Sequence, residues 1–287
     1  MKYAFVRAHH REFSIKMMCR VLEVSRTGYY DWHGRKECGR SQRDRLLLTE
    51  IRKIHQDTKE SYGAIKTWRA LKEAGIGCGK HRVARLRRLA AIEAGRKQKF
   101  RVAYQARHNA PPAPNLVKWP FHTDHPDRIW MADVTFIPTR QGWLYLAVLI
   151  DLFSRLIVGW AMKDRPNQEL VNEALLMALE QRAPEPGLIH HSDQGILYAG
   201  GRYLELLKRY DMIRSMSGKG NCYDNAVVES FFSSLKNEII HHRDYRTRDQ
   251  ARTEIFEYIE LFYNRRRIHQ SLNYQTPMDC DPMTVSA

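Results

Sequence analysis

Apolar residues recur along this chain with two different periods. Through the first third they return every three or four positions, the spacing of one helix face. In "SIKMMCRVLEVSRTGYYDW" that face runs through Ile15, Met18 and Leu22. The turn "EVSR" follows, where Ser25 is placed to cap a second helix carrying Tyr29, Tyr30 and Trp32. Two short helices with such a turn predict a helix-turn-helix unit. A second unit is expected in "SYGAIKTWRALKEAGIGCGKHRVARLRRLA", where Gly75, Gly77 and Gly79 interrupt two helical runs. The segment "NAPPAPNLVKWP", residues 109–120, holds four prolines and reads as a linker. The expected organisation is a helical region over 1–108, the linker, and a second domain over 121–287.

Beyond the linker the period falls to that of strands. "RIWMADVTFIPT", "GWLYLAVLIDLFS" and "RLIVGWAMK" are rich in Val, Ile, Trp and Tyr, and short turns separate them. They predict an antiparallel meander. "NQELVNEALLMALEQRA" then reads as a helix, "GLIHHSD" as a fourth strand and "GRYLELLKRY" as a second helix. "MIRSMS" is a fifth strand and "DNAVVESFFSSLKNEII" a third helix, with Asp224 or Asn225 near its start. A last helix, "RDQARTEIFEYIELFYN", ends in the basic segment "RRRIHQ". Three strands, helix, strand, helix, strand, helix is similar to the order of an RNase H-like α/β domain. The fold class expected is that domain, preceded by an all-α, helix-turn-helix-like region.

Charge sharpens the division. The formal net charge is +15; residues 1–110 carry 27 Lys and Arg against 10 acids, and the remainder 20 against 22. A solvated surface explains scattered charge but not this one-sided excess, which points to a polyanion partner for the first part. Lys80, Arg82, Arg85, Arg87 and Arg88, on one helical run, suit phosphate contact. A small helical bundle with a charged outside is the alternative. The five cysteines, Cys19, Cys38, Cys78, Cys222 and Cys280, form no Cys-x-x-Cys pair, so neither a disulfide frame nor zinc is expected. The opening residues lack the apolar stretch of a signal peptide, and Leu144–Ile150 is too short to span a bilayer. The expected compartment is the cytosol.

Three acids fall at telling places. Asp133 lies inside the first strand among apolar neighbours, Asp193 ends the fourth in "HSDQG", and Glu229 sits one turn into the third helix. In an RNase H-like sheet the first and fourth strands are adjacent and that helix packs across the same edge, so the three converge. Crowded carboxylates repel one another unless divalent cations neutralise them. Mg²⁺ takes hard oxygen ligands and keeps waters that phosphate or a nucleophile can replace. Two ions about 3.5–4 Å apart would stabilise the attacking and leaving oxygens of an in-line phosphoryl transfer; Mn²⁺ is expected to substitute. Spacing alone is weak evidence, because acids are common. An Asp within an apolar strand is rarer, since burying an unpaired charge is costly. Asp151, which ends another apolar run, is the nearest rival, as a turn residue or a partner of Arg155. Asp224 reads as a helix cap.

The stretches "WMADVTFIPT", "GWLYLAVLIDLFSRLIVGWAM", "HSDQG", "SMSGKGNCYDNAVVESFFSSLKNE" and "YNRRRIHQSLNYQTP" together resemble the catalytic core of the retroviral-integrase superfamily. More narrowly they resemble the OrfB subunit of bacterial insertion-sequence transposases of the IS-three family. "FVRAHHREFSIKMMCRVLEVSRTGYYDW" and "SYGAIKTWRAL" extend the likeness over nearly the whole chain. The resemblance implies a DDE transposase whose triad is Asp133, Asp193 and Glu229. A basic residue seven positions after the glutamate, here Lys236, would face the same way along the helix and hold a DNA phosphate; an exposed helix lysine explains it equally well. Lys219, Asn221, Tyr223 and Asn225 are implied as DNA contacts, and Cys222 as a packing residue. Ile196 and Leu197 stand where the family often has a polar pair. His9, His10, Cys19 and Cys38 do not reproduce the zinc module of retroviral integrases. Also implied are double-stranded DNA at element ends and targets, self-association on that DNA, and an OrfA partner or fusion. Two other classes compete: a non-catalytic DNA-binding regulator or decayed copy, which has no need of converging acids, and a simple metal nuclease, which has no need of an end-recognition region.

Overall fold

The computed structural model describes residues 1–34, 38–95, 113–117, 123–218 and 225–285. These form two compact units, Met1–Arg52 and Lys53–Ala287. The first holds α1 (Lys2–Ala8), α2 (Ile15–Val21) and α3 (Arg26–Gly34); α4 (Gly39–Asp57) runs through the boundary. Ser14 caps α2 by accepting from Met17 N at 3.3 Å, and Ser25 accepts from Gly28 N at 3.2 Å, as its place before α3 predicts. Met18, Cys19, Tyr29 and Val6 form the buried centre of this unit, with Ile15, Leu22 and Trp32 against it.

The second unit begins with α5 (Ala64–Glu73) and α6 (Lys80–Leu89), the two runs separated by the glycines. Its sheet contains β1 (Ile129–Thr139), β2 (Gly142–Asp151), β3 (Ile157–Lys163), β4 (Ile189–Ser192) and β5 (Ile213–Met216), in the order β3-β2-β1-β4-β5. The meander pairs antiparallel, whereas β4 and β5 run parallel to β1. Parallel neighbours need long crossovers, and α7 (Gln168–Arg182) and α8 (Gly201–Arg209) supply them. After β5 come α9 (Ala226–Glu238) and α10 (Arg248–Glu257), the latter continuing as a π-helical turn over Tyr258–Tyr263.

Both faces of the sheet are covered, which is why β2 reads as an unbroken apolar run. Met131, Ile137 and Val148 pack with Val228, Phe231 and Leu235 of α9 on one side. Trp130, Ala132 and Leu149 pack with Leu170, Ala174 and Leu175 of α7 on the other. Each leucine fully buried there contributes roughly 1.5–3 kcal/mol. Gly159 sets how closely α7 approaches: a Cβ there would lie 2.3 Å from Ala174 O.

The division at residues 109–120 expected from the prolines is not where the described residues part. The Tyr62 hydroxyl donates to Arg266 O and accepts from Ile268 N, tying the second helical pair to the core. Within the proline segment, Leu116 N donates to Ser215 Oγ, Met216 N to Pro114 O, and Val117 is buried in the core. These bonds make that stretch part of the sheet's edge. The "RRRIHQ" segment is held to the core as well. Arg267 is nearly buried and bonds both oxygens of Glu238 and Ser234 Oγ, so it braces α9.

Candidate active site

The register of β1 fixes where its acid goes. Ala132 pairs with Ser192, the last paired residue of β4, so Asp133 and Asp193 come next, side by side. Asp133 shares the side-chain alternation of Met131 and Ile137, the face that α9 covers. Its Oδ1 accepts from Val134 N at 2.7 Å. Burial pushes its carboxyl up to about 8, Asp193 adds to the rise, the Val134 bond opposes it, and Glu229 contributes less. Asp193 turns its own Oδ1 to Gly195 N at 2.9 Å. A Cβ at Gly195 would lie 2.8 Å from the same oxygen, so a larger residue there would push the Asp193 carboxylate aside. Asp193 is therefore held by a tight local turn, with its neighbour of like charge alongside.

Glu229 lies in the first turn of α9, exposed, its carboxyl raised by partial desolvation. Among the described residues no three His, Cys, Asp or Glu side chains are gathered as a finished cation site. The chemistry of the donors nevertheless fits a divalent cation. They are carboxylate oxygens, and the strained ionisation of Asp133 is what a positive charge would relieve. Lys236 lies in the last turn of α9. Burial lowers its ionisation while Asp133 raises it, and its ammonium sits 5.2 Å from the Phe136 ring centre.

Asp151, the rival, proves to be a turn residue. It is fully buried; Oδ1 accepts from Asp127 N, and Oδ2 from Ser154 N and Oγ at 2.8 and 2.7 Å. Among the expected DNA contacts, Lys80, Arg85 and Arg88 are exposed and Arg82 is half-buried. Arg87 is a correction: it is 4 % exposed and donates to Thr67 Oγ1 at 3.0 Å, joining α6 to α5. Asn225 is a second correction, since it is buried at the start of α9. Lys219, Asn221, Cys222, Tyr223 and Asp224 lie outside the described residues. Sequence reasoning missed Tyr198, whose ionisation burial, Asp133 and Asp193 all push well above the usual tyrosine range. Its one signal is position, five residues after Asp193.

Comparison with known proteins gives this geometry its context. Integrase core domain families match residues 123–222 and 229–284, and an HTH-like domain matches 41–100. The 31 kDa protein of insertion element IS600 from Shigella sonnei is 44% identical over 260 residues, 91% of this chain and 96% of that one. Transposase InsF of insertion sequence IS3A from Escherichia coli K12 is 41% identical over 276 residues, 94% of each chain. The chain belongs to the IS3 family of insertion-sequence transposases. An IS3-family transposase of this kind is a DDE enzyme with an integrase core and an HTH-like DNA-binding region, and such a core uses a divalent metal. The HTLV-2 integrase catalytic core in complex with magnesium matches 55% of this chain and 99% of its own, at 18% identity and a TM-score of 0.44. Among the described residues no helix is long and apolar enough to cross a membrane.

Proposed function

We propose that Asp133, Asp193 and Glu229 are the catalytic triad and metal ligands, and that they act on the ends of a mobile element. The observation that carries this reading is the position of Asp133 and Asp193, each the residue after the last β1–β4 pair, Ala132 with Ser192, with burial first and Asp193 second raising the ionisation of Asp133. The site takes two Mg²⁺ ions, with Mn²⁺ able to replace them. Those three carboxylates would hold the cations, and the chemistry supplied there would be activation of a water or a DNA 3′-hydroxyl and stabilisation of the departing oxygen. Asp133 and Asp193 hold their oxygens on adjacent strands of a rigid sheet, and Glu229 approaches from the first turn of α9. Lys236, two helical turns along, steadies a phosphate beside them.

The reaction has two steps. Hydrolysis breaks a P–O3′ bond and leaves a 3′-hydroxyl and a 5′-phosphate. That hydroxyl then attacks a second phosphodiester, so one P–O bond forms as another breaks. No covalent bond to the protein is required. Recognition of the terminal inverted repeats falls to the basic region, through Lys80, Arg82, Arg85 and Arg88. Two ends must be joined in concert, so the chain self-associates on DNA. An OrfA protein, as partner or fusion, completes the working enzyme.

The test is strand cleavage and joining on a labelled element-end duplex in Mg²⁺, with Asp133→Asn as the comparison and an OrfA–OrfB fusion as a second form. Asp133→Asn is expected to reduce both steps to background while DNA binding persists. Joined ends from that variant would overturn the assignment.

A further inference from the structure

Arg267 grips α9, the helix that carries Glu229 and Lys236. Its guanidinium donates from Nε to both oxygens of Glu238 at 3.1 Å, from Nη2 to Glu238 Oε1 at 2.7 Å, and from Nη2 to Ser234 Oγ at 3.0 Å. Nη1 meets His269 Nε2 at 3.3 Å. The Tyr258 hydroxyl also donates to Glu238 Oε2, at 2.8 Å. Arg267 and Glu238 keep only 12 % and 10 % of their side-chain surface exposed. At about 100° per residue, Ser234 and Glu238 lie about 140° and 180° around α9 from Glu229. The core face of Val228, Phe231 and Leu235 lies between those two flanks.

The base of Arg267 is tied to the sheet. The buried Asn264, three residues earlier, accepts from Ile157 N at 3.0 Å and donates to Ile157 O at 3.2 Å, at the start of β3. Arg267 N donates to Phe262 O at 2.8 Å. On either side of it, the Tyr62 hydroxyl donates to Arg266 O and accepts from Ile268 N. The guanidinium thus reaches α9 from a point fixed to the same sheet that carries Asp133. Apolar packing is non-directional, so it holds a helix down without setting its rotation. A bidentate fork sets an angle. A roll of about 10° carries a side-chain end about 6 Å from the helix axis through about 1 Å. An error of about 1 Å at a reacting group costs on the order of a hundredfold in rate.

We infer that Arg267 is a positioning residue of the catalytic site: its fork on Glu238 and Ser234 fixes the rotation of α9 and, through it, where the Glu229 carboxylate meets the Asp133–Asp193 pair. The inference rests on the reading of Glu229 as a metal ligand. Groups that orient metal ligands are worth about 10–100-fold in metal affinity or activity.

Arg267→Lys in the full chain is the test, with Mn²⁺ affinity read by calorimetry well below the thermal midpoint. Lysine keeps a cation against Glu238 but cannot form the planar fork. The Mn²⁺ dissociation constant is expected to rise about tenfold or more. A role confined to neutralising Glu238 predicts the parent's constant, and that result overturns the proposal. Ser234→Ala decides the matter if Arg267→Lys does not fold. It removes one acceptor of the fork and places a better helix former in α9. A smaller rise in the same constant is expected, and no rise overturns the proposal. Arg182→Met breaks a buried ion pair at the start of β1 and is expected to leave the constant unchanged. Weaker binding there would mean that any loss of stability has this effect, which also overturns the proposal. Glu229→Gln separates the two levels. If it binds Mn²⁺ as the parent does, the ligand reading fails and the role of Arg267 falls with it. If it weakens binding while Arg267→Lys and Ser234→Ala do not, only the role of Arg267 fails.

Discussion

Two groups of acids lie along β1, and the chain treats them in opposite ways. At the strand's start, Asp127 and Asp281 share Arg182. That guanidinium bonds both Asp127 oxygens through Nε at 3.1 and 3.0 Å, and reaches Asp281 at 2.6 Å. Asp127 also accepts from Trp130 Nε1, and Asp151 accepts three hydrogen bonds. Farther along the strand, Asp133 has one backbone donor and a second acid beside it. Burial raises Asp151 and Asp133 alike. At Asp151 the Ser154 and Asp127 bonds pull back, whereas at Asp133 the neighbouring charge of Asp193 adds to the rise. The acids at the strand's start are met by a buried guanidinium or by several hydrogen-bond donors, whereas Asp133 has one hydrogen bond, a like charge beside it and the more distant Lys236.

The largest expected effect breaks the comparison at its structural end. Arg182→Met leaves Asp127 and Asp281 buried without their cation. Breaking such a pair from one side costs about 3–5 kcal/mol, to be read as a lower denaturant midpoint. Affinity for Mg²⁺ should not change. A variant as stable as the parent would show that this cluster is no better satisfied than the other.

Next in size is stabilisation by the cation itself. A ligand present at about a hundred times its dissociation constant adds about 2.7 kcal/mol to a fold that binds it. Mg²⁺ is expected to raise the thermal midpoint of the parent chain, and EDTA to reverse the rise. Asp133→Asn should lose that response while Arg182→Met keeps it. A parent chain indifferent to Mg²⁺ would remove the contrast from its functional end.

Much of this was legible in the sequence because the sheet is strongly patterned. The runs that became β1, β2 and β3 change period sharply from the helices before them, and Asp133 stood out as a charge among apolar neighbours. The position of Asp193 was legible because it directly follows the apolar run that became β4. Partner choice was not legible. Arg87 and Arg88 are adjacent cations on one helix, yet one bonds Thr67 inside the unit and the other meets solvent. Helical phase separates them by about 100°, and only the packed neighbour decides which direction is inward. Arg267 is likewise one of three consecutive arginines in the sequence, and only the packed structure sets Glu238 against it.

The smallest expected effect is also the most discriminating, because one substitution should act with opposite sign at the two groups. Asp151→Asn replaces an oxygen that accepts an N–H with an amide nitrogen that cannot. Leaving such a buried donor unsatisfied costs about 1–3 kcal/mol, so the metal-free midpoint falls. Asp133→Asn removes a buried acid from beside Asp193 and keeps an amide oxygen for Val134 N. If the relief is about 1 kcal/mol, the metal-free midpoint rises by roughly 2–4 °C. Thermal melts of the two variants in EDTA are sufficient to see this. If both variants lose stability, Asp133 is as well accommodated as Asp151, and the site needs no cation to explain it. If only Asp151→Asn does, β1 holds Asp133 in an environment unfavourable to its charge, which a bound cation would relieve.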